Sequence, residues 1–199
     1  MFSICREVKF ADIFSLFNLL AGFFGLYTGN LSFVFLAAIF DGVDGIVAES
    51  RFGGKFGKEL DSLADLVSFG ILPAFFIAAY SPAIACFYAV ASALRLARFN
   101  VLKFDYFVGL PVTASALLVS PAILLGFESK LICALALISA VLMISDIRYT
   151  RVRDYRLLAV GAAAIAASFF IPDAAYAVFL AVMLYIFSPL WRKEYGWRS

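Results

Sequence analysis

Residues 31–50 read LSFVFLAAIFDGVDGIVAES, and residues 51–80 continue RFGGKFGKELDSLADLVSFGILPAFFIAAY. One apolar run ends in Asp41-Gly42-Val43-Asp44-Gly45. A short stretch carrying Arg51, Lys55 and Lys58 follows. A second apolar run then opens on Glu59-Leu60-Asp61-Ser62-Leu63-Ala64-Asp65. Each run has the roughly 17–20 residues that a helix needs to cross about 30 Å of hydrocarbon. The pair reads as two antiparallel membrane helices whose acidic ends meet at one surface.

The rest of the chain repeats the pattern. Of 199 residues, 64% are hydrophobic and 15% charged, whereas a soluble domain is about half apolar and a quarter charged. The spacing predicts eight spans, at 13–29, 31–47, 62–80, 82–98, 107–126, 131–146, 156–171 and 174–190. The first carries no suitable small-residue cleavage site and reads as a retained helix rather than a removed signal. Tight connections at Gly29-Asn30, Ser81-Pro82 and Pro172-Asp173 make neighbouring helices antiparallel. The expected fold is an all-α, polytopic bundle over 1–199 as a single membrane domain. Its catalytic core covers about 12–156, and two further spans lie in 156–190.

Charge sets the orientation. The net charge is only +2, but of the 16 Lys and Arg residues, Lys130 alone falls on one side of the eight-span arrangement. The clusters at Arg6 and Lys9, at Arg51 to Lys58, at Arg95 to Lys103, at Arg148 to Arg156 and at Arg192 to Arg198 all fall on the other. The positive-inside rule makes that side, with both termini, cytoplasmic. A six-span chain with two re-entrant hairpins is the competing topology. No internal repeat supports a transporter built from inverted halves.

Histidine is absent, which excludes an imidazole base or nucleophile, and Cys5, Cys86 and Cys133 have no metal-ligand spacing. The acids carry the chemistry. Charged groups inside a span are costly and usually functional. Asp41 and Asp44 are i,i+3 and Asp61 and Asp65 are i,i+4, so each pair projects from one helix face. Four crowded carboxylates repel one another, and a divalent cation relieves that. Hard oxygen ligands suit Mg²⁺ or Mn²⁺ better than zinc. Four exceed the needs of one Mg²⁺ shared with substrate phosphates, which points to two ions. Gly45, Ala48 and Gly57 let a flat ligand lie against the backbone beside the acids. Tight packing of helices through small residues gives the same pattern.

Together these residues resemble the signature of the CDP-alcohol phosphotransferases, D-x-x-D-G-x-x-A-R, a spacer, then G-x-x-x-D-x-x-x-D. Seven positions match: Asp41, Asp44, Gly45, Ala48, Gly57, Asp61 and Asp65. One departs, since Glu49 stands where the family has Arg, with Arg51 close by. Asn18 to Phe23, Asp61 to Gly70, Leu94 to Asn100 and Gly109-Leu110-Pro111 are similar to the membrane-embedded phosphatidylserine synthase branch, which includes archaeal members using an archaeol lipid.

The resemblance implies a cytoplasm-facing site in the cell membrane. There the hydroxyl of L-serine attacks the lipid phosphorus of CDP-diacylglycerol or CDP-archaeol, and CMP leaves. It implies Asp41, Asp44 and Asp61 as metal ligands and Asp65 as general base and further ligand, with Mg²⁺ or Mn²⁺ as cofactor. Gly45, Ala48, Gly57 and Asp61 would frame the cytidine. A homodimer and surrounding membrane lipids are the expected partners, and no nucleic acid is. Arg95 and Arg98, i,i+3 at the end of the fourth span, suit serine's carboxylate or the lipid phosphate. They suit equally a role as snorkelling topology anchors. Two other readings stand beside this one. The same chemistry could use inositol phosphate, glycerol phosphate or another alcohol. A divalent-cation carrier would also place acids in spans, though nearer the midplane.

Overall fold

The computed structural model describes residues 12–47, 55–101, 107–149 and 155–192. Helix α1 (Asp12–Thr28) turns at Gly29, whose φ of 63° suits glycine, into α2 (Phe33–Val47). Then α3 (Lys55–Asp65) passes without a break through a π-helical stretch, Leu66–Ile71, into α4 (Leu72–Ile77). Helix α5 (Pro82–Val101) follows, then α6 (Val112–Leu124), α7 (Ser129–Ile144) and α8 (Tyr155–Phe170). A short 3₁₀ turn, Pro172–Ala174, leads into α9 (Ala175–Arg192). Two short strands, β1 (Phe107–Val108) and β2 (Arg148–Tyr149), pair antiparallel and join the loops after α5 and α7.

Among the described residues there are thus eight helical segments, counting α3, the π stretch and α4 as one. Three stretches are long and apolar enough to cross a membrane: Phe56–Ile77, Pro82–Val101 and Pro172–Pro189. Shorter apolar helices cover Asp12–Thr28, Val112–Leu124, Ser129–Ile144 and Ala159–Phe170. The interior is built from Val34, Phe35, Phe69, Leu72, Ile77, Tyr88 and Met143, filled in by Ala37, Ala91, Ala116, Ala136 and Ala140. Large apolar side chains also cover the outside, among them Phe23, Phe75, Val90, Leu94, Leu180 and Phe170 at 81% exposure. An outer surface of that kind is stable against lipid and a liability in water. The bundle has the build of an integral membrane protein.

Two boundaries differ from the sequence expectation. The third helical segment begins at Lys55, not 62. Lys58 and Glu59 stay exposed on its first turns while Gly57 is buried, so the helix starts as an amphipathic segment before it becomes apolar. The fifth begins at Val112, not 107. Residues 107–108 pair with 148–149, and Gly109 has φ 78°. Pro111 is extended, with ψ 141°. Proline lacks an N–H and fixes φ, so a helix readily begins just after it.

The π stretch is held from two sides. The Ser68 hydroxyl donates to the Asn18 carbonyl at 2.7 Å, and the Tyr88 hydroxyl donates to the Phe69 carbonyl at 3.2 Å. Gly22 lies directly under Ser68, with no space for a Cβ. This contact fixes α1 against the helix that carries Asp61 and Asp65.

Candidate active site

The end of α2 and the start of α3 bring their acids together. Carboxylate oxygens of Asp41, Asp61 and Asp65 all lie within 4.8 Å of one another. Asp65 and Asp44 are buried, and Asp41 and Asp61 are half-buried. The i,i+3 and i,i+4 spacings do what helical geometry requires of them, presenting each pair on one face.

Three of the four acids are gripped by a neutral donor from elsewhere in the bundle. Asn18 Nδ2 donates to Asp65 Oδ1 at 2.9 Å, and Ser15 Oγ donates to Asp44 Oδ2 at 2.7 Å. Thr113 Oγ1, at the start of α6, donates to Asp41 Oδ2 at 3.2 Å. Each bond uses one oxygen and orients the carboxylate without neutralising it. Asp44 is held towards Ser15 and neighbours Asp61, but it stands outside the close group of three. Asp61 Oδ1 is buried and has no hydrogen-bond partner among the described residues. A buried carboxylate oxygen without a donor is costly unless a cation satisfies it. Together with an all-oxygen donor set, this fits a hard divalent cation.

Arg95 is buried on α5, its guanidinium 5.3 Å from the centre of the Phe99 ring and within electrostatic reach of Asp65 and Asp41. Tyr185 of α9 lies within the same reach of Arg95 and packs at a tilt against Tyr149 of β2, ring centres 5.6 Å apart. The final helix therefore approaches the site. Its sequence offers nothing but hydrophobicity to announce this.

Arg98 bonds a different set of partners. It donates to the carbonyls of Val108 at 3.0 Å, Met143 at 3.3 Å and Ser145 at 2.8 Å, and pairs with Asp146 at 3.2 Å. It clamps the end of α5 to β1 and to the end of α7. Gly109 packs against this clamp, and a Cβ there would strike the Met143 carbonyl. Asn100 ties α5 to α3 through Glu59 at 2.9 Å and Ser62 at 3.1 Å.

Gly57 is buried, and the space a side chain would take is filled by the Asp12 carboxylate. Gly45 lies in the last turns of α2. Ala48, with Glu49 and Arg51, lies outside the described residues. Sequence reasoning missed Ser15, Thr113 and Asp12, and used Asn18 only as part of a resemblance. A signal did exist on α1. Asp12, Ser15, Asn18, Gly22 and Gly25 recur every three or four residues in a helix that is otherwise large and apolar, and all five are buried. A polar and small stripe in a membrane helix marks a protein-facing side. Thr113 left no such mark.

The family model described as CDP-alcohol phosphatidyltransferase matches residues 9–145. The chain is 39% identical over 165 residues to a CDP-diacylglycerol–serine O-phosphatidyltransferase of Methanocaldococcus jannaschii, covering 76% of this chain and 78% of the relative. It is 36% identical over 173 residues to an archaetidylserine synthase of Methanothermobacter thermautotrophicus, covering 75% and 72%. A Helicobacter pylori CDP-diacylglycerol–serine O-phosphatidyltransferase is 33% identical over 168 residues, covering 70% and 71%.

Proposed function

We infer the reaction from one premise: this chain belongs to the CDP-alcohol phosphatidyltransferase family. It transfers the phosphatidyl or archaetidyl group of a CDP-activated lipid to the hydroxyl of L-serine and releases CMP. The observation that carries the site is the convergence of Asp41, Asp61 and Asp65 within 4.8 Å, with buried Arg95 beside them. The cation-carrier reading falls with the family membership.

In this reading Asp41, Asp44, Asp61 and Asp65 would hold divalent cations, Mg²⁺ or Mn²⁺, two in number. Bound there, the cations would neutralise the pyrophosphate and stabilise the CMP that departs. Asp65 accepts the proton of the serine hydroxyl as that oxygen attacks the lipid phosphorus, and the bond from phosphorus to the CMP oxygen breaks. Asn18 keeps the Asp65 carboxylate turned in one direction, so the base is positioned before substrate arrives. Gly45, Ala48, Gly57 and Asp61 frame the cytidine. Arg95 pairs with the serine carboxylate or the lipid phosphate. The donors of Arg98 are spent on carbonyls and Asp146, so we give it a scaffolding part and leave the anion to Arg95. That arrangement favours an acceptor with one carboxylate over phosphorylated alcohols, which carry more charge to neutralise.

We further read all eight helical segments as spans, with both termini and the acids at the cytoplasmic face, and the chain as one unit that pairs with a second copy. Lipid tails can then stay in the bilayer while serine arrives from the cytoplasm. The deciding experiment follows CMP release by purified protein in detergent with CDP-activated lipid and Mn²⁺ or Mg²⁺. The acceptors are serine, inositol, inositol phosphate and glycerol phosphate. Metal-dependent release with serine alone is expected. Release with a different alcohol would sink the serine assignment and leave the family chemistry in place.

A further inference from the structure

Asn18 does more than its hydrogen bond to Asp65 requires. It is fully buried on α1, in a helix turn shared with Ser15. The carboxylate partner fixes its orientation, since only the Nδ2 end can donate to Asp65 Oδ1, at 2.9 Å. The carbonyl end, Oδ1, is therefore turned elsewhere, and it is buried with no hydrogen-bond partner among the described residues. The backbone around it is locked as well, because the Asn18 carbonyl accepts from Ser68 and Gly22 leaves Ser68 no slack. A rigid, buried amide oxygen without a donor is an expensive feature that leucine at the same position would avoid.

Serine's own chemistry supplies what this oxygen lacks. Its hydroxyl and its ammonium sit on adjacent carbons. A serine whose hydroxyl rests on Asp65 holds its ammonium close to whatever else Asp65 bonds, and that neighbour is Asn18. We propose that Asn18 Oδ1 accepts a hydrogen bond from the ammonium of the acceptor amino acid, making Asn18 a specificity-determining residue that selects serine over alcohols without an amine. This rests on the serine reading above and names the group that enforces it. Arg95, within electrostatic reach of Asp65, would take the carboxylate, so the three substituents of the acceptor meet three different side chains. A site built to pair a substrate N–H rejects the analogue lacking it, because its acceptor is then left buried and unpaired.

The test uses the full chain in detergent and compares L-serine as acceptor with 3-hydroxypropionate, which keeps the hydroxyl and carboxylate and lacks the ammonium, as competitive inhibitor. Wild type must first release CMP with serine; if it does not, the serine reading fails and takes this proposal with it, whereas the variant outcomes below bear on Asn18 alone. In Asn18→Ala, the KM for serine is expected to rise about 10- to 100-fold, the range of a lost charge-assisted hydrogen bond. The inhibition constant of 3-hydroxypropionate should change by less than about threefold, since it never used that oxygen. Stabilisation by CMP reports that each variant is folded. Asn18→Asp keeps an acceptor oxygen and loses the donor to Asp65, so it should hold the serine KM near wild type while kcat falls. An unchanged serine KM in Asn18→Ala, or equal losses for serine and 3-hydroxypropionate, would overturn the proposal and leave Asn18 as a prop for Asp65 alone.

Discussion

Asp65 is buried, is oriented by Asn18 through one oxygen, and shares its other surroundings with Asp41 and Asp61. Asp65→Asn keeps the shape and removes the base. CMP release should fall by about 10²- to 10⁴-fold, the usual worth of a positioned general base, while CMP still raises the melting temperature. Normal turnover would remove Asp65 from that role. Asp41 is held by Thr113 and completes the close group of oxygens. Asp41→Asn should therefore shift the Mn²⁺ activation curve to higher concentration. A superimposable titration would take Asp41 out of the ligand set. The spacing of these acids was legible because a helix converts i,i+3 and i,i+4 directly into one face. Their hydrogen-bond donors were not. Ser15 lies 29 positions from Asp44, and Thr113 lies 72 from Asp41. No local periodicity encodes a pairing made only when three helices pack.

At the scale of elements, hydrophobic runs gave the helices and their order, and glycine gave the turn after α1. Boundaries went astray where a helix was not apolar at its first turns, at Lys55, and where a two-residue ribbon displaced a helix start, at Phe107. That ribbon depends on the Arg98 clamp, and the clamp depends on Gly109. At φ 78°, and with the Met143 carbonyl where a Cβ would sit, Gly109 has both a backbone and a packing reason to be glycine. Gly109→Ala should destabilise the protein by about 1–3 kcal/mol, read as a lower melting temperature. The CMP-induced increment should persist, because the acids are on other elements. A stability equal to wild type would mean the ribbon yields without cost.

For the whole molecule, the question is which way the acids face. Lys130 is exposed in the first turn of α7, opposite the end of the bundle that carries β1 and β2. In a chain with Cys5, Cys86 and Cys133 replaced by Ser, Lys130→Cys should react with an impermeant maleimide added outside intact cells. Arg148→Cys, on β2, should react only after permeabilisation. The reverse pattern would place the acids outside, and labelling of both from outside would break the eight-span count. The expected sidedness rests on loop charge, which is a local property of the sequence. The approach of Tyr185 to Arg95 was not legible there, since it depends on how α9 packs against α6 and β2.

The π stretch between Asp65 and Leu72 has a longer-range effect on how this chain can vary. An extra residue per turn rotates everything beyond it by about 100° relative to an uninterrupted α-helix. The upstream half of the segment is phased to turn Asp61 and Asp65 inward. The downstream half is phased separately, to bury Leu72, Ala74 and Ile77. The segment therefore behaves as two reading frames joined at a gear, with Ser68 and Tyr88 as its teeth. Substitutions beyond the gear can repack the downstream half without rotating the acids before it. A relative that lost the extra residue would have to give up one frame to keep the other.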